Sequence, residues 1–192
     1  MHQSVSLEGA TAIVARQGKI ERHKFASAAE AAARTRFVAE ALTWIGTPFR
    51  DCADVKGGAV DCAMLMVRSA VDTGLIPPFD PRPYSPRWML HRSEEKFLAI
   101  VRDRLGAKET DTPRFGDVHL YQFGRCYSHG GIRINAHEIV HAYGAAGCCL
   151  VSRIDEPLLN FIGHGDANVP RPVKYFDIAS CFEASLARCT SA

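Results

Sequence analysis

The 192-residue, 21.1 kDa chain is 47% hydrophobic with a net charge of +2, which supports one compact core and excludes a disordered chain. The near-neutral balance gives no basic field for nucleic acid, and no run reaches the roughly 18 apolar residues of a membrane helix, so neither nucleic-acid binding nor membrane insertion is expected. Seven cysteines at irregular spacing, without a CxxC pair, argue against a zinc ribbon or a thioredoxin-type centre. They indicate mostly free thiols and synthesis in a reducing compartment.

The start, Met1–Glu8, has neither a basic cluster nor an apolar stretch, so no Sec leader is expected and synthesis in the cytoplasm is. Residues 1–24 read as an accessory segment with a hairpin about Gln17-Gly18, and residues 25–192 as one domain. Ser27 and Glu30 form a capping box opening an alanine-rich helix. Phe37, Val38, Ala41, Leu42 and Ile45 line its apolar face, and Gly46 and Pro48 stop it. A second helix runs from Asp61 to Gly74 with Leu65, Met66, Ser69 and Ala70 on one face. Five prolines between Pro77 and Pro86 make a semi-rigid loop. A third helix spans about 93–105, with Phe97, Leu98, Val101 and Leu105 apolar.

Beyond Pro113 the period changes from helical to alternating. Strands are expected at 117–123, 129–135, 138–143 and 148–154, separated by turn residues, with another at 173–178 and a short amphipathic helix over 178–188. Helices first and a meander second indicate an α+β fold, with the N-terminal helices packed on a central antiparallel sheet.

The chemistry centres on Asp61-Cys62. Asp61 reads as the N-cap and Cys62 as a residue of the first turn, where unpaired N–H groups and the helix dipole favour a thiolate. A cysteine nucleophile needs a histidine to take its proton and a group to orient that histidine. His129 and His141 fall on adjacent strands, where two histidines can share a face and bond ring to ring. Taken singly, each reads better as a packed strand residue than as a catalytic one. The Cys126/His129 spacing hints at metal but lacks further ligands, so no metal or other cofactor is expected. His119, His137 and His164 read as surface or packing residues, Trp44 and Trp88 as packing. His91 lies beside the proline loop, where it could border a cleft.

Two blocks stand in order: Gly46-Thr47-Pro48-Phe49-Arg50 with Asp61-Cys62, and then Gly116-Asp117-Val118, Ser128-His129-Gly130-Gly131-Ile132 and Ile139-Val140-His141-Ala142. Over about residues 36–154 they resemble the NlpC-type cell-wall endopeptidases, a papain-like cysteine peptidase family. Lys56-Gly57-Gly58 before Asp61 and Phe123-Gly124-Arg125-Cys126 before His129 are most similar to the phage tail-associated branch. The resemblance implies Cys62 as nucleophile, His129 as general base and acid, and His141 as the orienting member. It implies peptidoglycan stem peptides as substrates, cut beside a D-glutamyl residue linked to a diamino acid, with Asp61 helping to hold the substrate amine. Phage tail-tip proteins are the implied partners, and a virion tail would replace a Sec signal as the route to the wall.

Two positions depart from the family pattern. Phe49 stands where the family usually has a tyrosine that helps bind the oxyanion, and losing one such donor costs about 2.7–4 kcal/mol in the transition state. Met64 replaces a glycine and is expected to narrow the cleft. Phe49 motivates an alternative, a tail-tip structural protein that keeps the fold with little catalysis. Amidase or acyl-transfer chemistry on the same nucleophile is a third.

Overall fold

The computed structural model describes residues 25–84, 95–162, 169–179 and 181. The accessory segment with its hairpin about Gln17-Gly18, Trp88, His91, His164 and most of the expected 178–188 helix lie outside the described residues.

Helix α1, Ala28–Leu42, opens on the expected cap: Ser27 Oγ accepts the Glu30 N–H at 3.1 Å, while Glu30 Oε2 accepts the N–H of Ala26, one residue ahead of the cap, at 2.8 Å. Phe37, Val38, Ala41 and Leu42 are buried as expected. After Leu42 the chain tightens into i to i+3 turns, with Trp44 N–H on Ala41 O and Ile45 N–H on Leu42 O. That change of pitch turns Trp44 into the core, at 1% exposure, and leaves Ile45 outside at 39%, correcting its assignment to the apolar face.

A small hairpin, β1 (Asp54–Val55) and β2 (Ala59–Val60), leads into α2, Cys62–Asp72. Asp61 caps α2 by accepting the Met64 N–H on Oδ1 at 2.8 Å. Met64, Leu65, Met66, Val67 and Ala70 enter the core. Met64 therefore does not narrow the cleft: two residues on, at about 100° per residue, it points away from Cys62. Helix α3 begins as Lys96–Ala99 and continues as a π-turn over Ile100–Arg104. The turn keeps Phe97, Val101 and Leu105 all buried.

The sheet has six antiparallel strands in the order β3-β10-β4-β5-β6-β7. The expected meander is β4 (Val118–Phe123), β5 (Cys126–Arg133), β6 (Glu138–Tyr143) and β7 (Cys148–Arg153). Strand β10, Val173–Asp177, returns to pair between β4 and β3, Lys108–Thr110. The sequence reading missed β3, a short and polar edge strand. Val118, Leu120, Ile132, Val140, Cys149 and Phe176 pack toward the helices. The opposite face carries a smaller cluster of Tyr121, Ile139 and Leu159, the last from a single helical turn, α4, Pro157–Asn160. The chain continues into a hairpin of β8 (Phe161–Ile162) and β9 (Val169–Pro170).

One buried ion cluster fastens α1 to the sheet. Arg34 is fully buried and reaches Glu30 at 2.8 Å, Asp117 at 2.6 Å and Asp177 at 2.5 Å, with the Phe115 carbonyl at 2.8 Å. Arg114 also bonds Asp177, at 2.8 Å. This fixes β4 and β10 relative to α1, and so sets where the far end of the sheet meets α2.

Candidate active site

Strands β4 and β6 end, and β5 begins, at the same edge of the sheet, beside the N-terminus of α2. A cleft of about 330 Å³ opens there, lined by Cys62, His129, Asp61, Phe49, Tyr84 and Tyr143 among others. Of the five residues singled out from sequence, four line this cleft and the fifth, His141, stands directly behind His129.

Cys62 is half-buried at the first position of α2. Its Sγ lies 3.8 Å from the Ser128 carbonyl oxygen, a contact in which the thiol hydrogen donates. Desolvation and the neighbouring Asp61 charge push the thiol above its ordinary range, outweighing the N–H groups of Gly130 and Ala63 that favour the anion. Burial thus favours the thiol, against the thiolate expected from the helix terminus.

His129 and His141 share the outer face of β5 and β6. His129 Nε2 and His141 Nδ1 are 2.8 Å apart, and His141 Nε2 lies 2.9 Å from Ser152 Oγ on β7. Gly131 makes the strand approach possible: a Cβ there would sit 2.7 Å from Ile139 Cδ1 and 3.2 Å from His141 Cβ. Tyr143 stacks on His141 with ring centroids 5.2 Å apart. Burial, the facing His141 and the Arg171 charge push His129 well below its ordinary range, and burial brings His141 to about 4. Both rings are neutral at pH 7. If His129 donates from Nε2, His141 accepts on Nδ1 and donates from Nε2 to Ser152. That chain leaves His129 Nδ1 free to accept a proton.

Asp61 is 4% exposed and fully engaged. Beyond the cap on Oδ1, its Oδ2 accepts the Cys52 N–H at 2.7 Å and the Tyr84 hydroxyl at 2.6 Å. Burial raises its carboxyl above the ordinary range, with those donors opposing. Cys52 adopts a left-handed backbone, φ 58°, in presenting that N–H. The proline loop is tied along this wall: Arg82 bonds Asp54 at 3.0 Å, Asp80 at 2.8 Å and the Cys52 carbonyl at 3.0 Å. Phe49 also faces the cleft, its ring against Gly144, and its side chain offers no hydrogen-bond donor.

Cys126 is wholly buried in the core. Among the described residues no group of three or more His, Cys, Asp or Glu side chains is placed to hold a metal ion. The sequence reading did not find Tyr84 or Ser152. Ser152 carried a weak signal, since alternation along β7 puts it on the face of His141, whereas the Tyr84 contact crosses 23 residues of chain and carried none.

No family model matches the chain, and no curated protein matches it. Among solved structures it is similar to the peptidoglycan hydrolase RipB of Mycobacterium tuberculosis, at 17% identity over 91% of this chain and 87% of that one, TM-score 0.48. It is also similar to the P60 domain of an antigen of M. avium subspecies paratuberculosis, at 16% identity over 78% and 97%, TM-score 0.47. The resuscitation promoting factor interacting protein RipA matches at 14% identity over 82% and 68%, TM-score 0.44.

Proposed function

We propose that the protein is a cysteine peptidase that hydrolyses peptide bonds in peptidoglycan stem peptides. The observation that carries this reading is the Cys62–His129 cleft backed by the His129–His141–Ser152 chain. Cys62 Sγ attacks the scissile carbonyl carbon while its proton passes to His129 Nδ1. The tetrahedral intermediate collapses, the C–N bond breaks, and His129 protonates the departing amine. Water then attacks the thioester with His129 again as base, regenerating the thiol. His141 acts by holding the imidazole in the tautomer that accepts at Nδ1. A neutral partner suffices for that task, because orientation requires an acceptor and not a full charge.

The substrate class follows from the sequence resemblance, as does cleavage beside a D-glutamyl residue linked to a diamino acid. In this reading the substrate amine takes the place of the Tyr84 hydroxyl on Asp61 Oδ2. The spacing around Lys56-Gly57-Gly58 and Phe123-Gly124-Arg125-Cys126 supports delivery on a phage-like tail tip, with tail-tip proteins as partners.

The test is release of fragments from purified stem peptides, followed by mass spectrometry. Wild type is expected to cut within the stem and Cys62→Ala to release nothing; equal release by both would remove Cys62 from the mechanism. Cleavage at the sugar-linked amide would indicate an amidase instead. Phe49 favours a second reading, a tail structural protein with little catalysis. If a missing oxyanion donor limits the rate, Phe49→Tyr raises activity by up to about 100- to 1000-fold. No gain would reject that explanation of low activity.

A further inference from the structure

A carboxylate lining a cleft beside a nucleophile can be satisfied by a charged group of the substrate or by neutral donors of its own chain. Asp61 takes the second course. Oδ1 accepts the Met64 N–H at 2.8 Å, and Oδ2 accepts the Cys52 N–H at 2.7 Å and the Tyr84 hydroxyl at 2.6 Å. With two donors on it, Oδ2 has both lone-pair directions filled. Asp61 and Tyr84 line the same cleft as Cys62 and His129.

The Tyr84 hydroxyl is held there from several sides. Cys52 Sγ donates to the Tyr84 carbonyl oxygen at 3.2 Å, so Cys52 grips Asp61 through its N–H and Tyr84 through its thiol. Arg82, two residues before Tyr84, bonds the Cys52 carbonyl and Asp54, each at 3.0 Å. The Tyr84 ring packs against the hydrophobic core. Burial, then the Asp61 charge and the Cys52 and Cys62 thiols, push the phenol above its ordinary range, so at neutral pH it stays protonated and remains a donor.

This arrangement discriminates between substrates. A stem peptide with a free N-terminus carries an ammonium, which reaches Asp61 Oδ2 only by displacing the Tyr84 hydroxyl and leaving the phenol without its acceptor. A stem still amide-linked to the sugar has a neutral, acylated N-terminus and leaves that bond intact. We propose that Tyr84 is a specificity-determining residue: by occupying Asp61 Oδ2 it makes the cleft prefer stem peptides with an acylated N-terminus over those ending in a free ammonium. This inference rests on the peptidase reading of the same cleft.

The test compares one stem tripeptide with a free N-terminus and its N-acetyl form at pH 7. Binding to full-chain Cys62→Ala is measured by calorimetry, which makes it independent of turnover. The N-acetyl peptide is expected to bind about 5-fold more tightly or better. Tyr84→Phe, added to Cys62→Ala, keeps the ring and removes the hydroxyl. It is expected to shift the ratio of the two affinities about 10-fold toward the free amine, the usual scale for a hydrogen bond to a charged group. A merely structural role for Tyr84 would weaken both peptides alike and leave the ratio where it was. Tighter binding of the free-amine peptide by Cys62→Ala, binding of neither peptide, or a ratio unmoved by Tyr84→Phe would overturn the proposal. The first comparison decides the matter even if the double variant fails to fold. Turnover by the chain with Cys62 intact is read separately. Cleavage of neither peptide, with the binding pattern as expected, would remove the peptidase reading and leave the specificity. Cleavage of both, with an unmoved ratio, would do the opposite.

Discussion

Two buried polar networks stand at opposite ends of β4, and they survive burial by different means. Around Arg34 the groups keep their charges and pair them, one guanidinium against Glu30, Asp117 and Asp177. Around His129 the groups are neutral and joined in a chain through His141 to Ser152. Paired charges lock geometry but have no proton to exchange near pH 7. A neutral chain costs less to bury and keeps an imidazole nitrogen ready to accept. The first network is suited to architecture and the second to proton transfer.

The largest separation between them should come from Cys62→Ala. Loss of the nucleophile is expected to cut stem-peptide hydrolysis by about 10⁴-fold or more while leaving the denaturation midpoint close to wild type. Arg34→Met should do the reverse. Leaving Asp117 buried without its cation, while Arg114 alone remains on Glu30 and Asp177, is expected to cost about 3–5 kcal/mol in urea unfolding. A small loss there would mean that the charged network is not structural.

A third comparison uses pH. His141 falls from its ordinary 6.5 to about 4 in the fold, so between those values the unfolded chain binds a proton that the folded one refuses. Its contribution to stability is therefore complete above pH 6.5 and drains as the pH falls toward 4, at up to about 1.4 kcal/mol per pH unit. His141→Gln should make the acid limb of the stability curve shallower by that amount. The buried carboxyls Asp61 and Asp117, raised by burial, titrate in the opposite sense in both proteins and cancel in the difference. The smallest effect is expected from Ser152→Ala. Loss of one hydrogen bond at the end of the chain should lower kcat about 5-fold with KM little changed.

What the sequence disclosed was local. Asp61 announced itself as a cap because the cap bond spans three residues, and Cys62 followed from it. His129 and His141 were legible because each sits in a strand with clear alternation. Contacts that close over long stretches of chain were not: Tyr84 on Asp61, Arg34 on Asp177, and β10 inserted beside β3 all depend on tertiary packing. Composition could not weigh burial against the helix dipole, and at Cys62 burial opposes the thiolate that the dipole favours. His119, read as a surface or packing histidine, is a packing one, 2% exposed with its ring edge-on to Tyr175.

The central claim is that Cys62 and His129 rest as a neutral thiol and imidazole. Alkylation of Cys62 by iodoacetamide, quantified by peptide mass mapping from acid to alkaline pH, tests it most directly. A neutral pair predicts a rate that is low at pH 6 and still climbing above the ordinary thiol value of about 8.5. A fully reactive plateau between about pH 5 and 8, the signature of a thiolate–imidazolium pair, would contradict it.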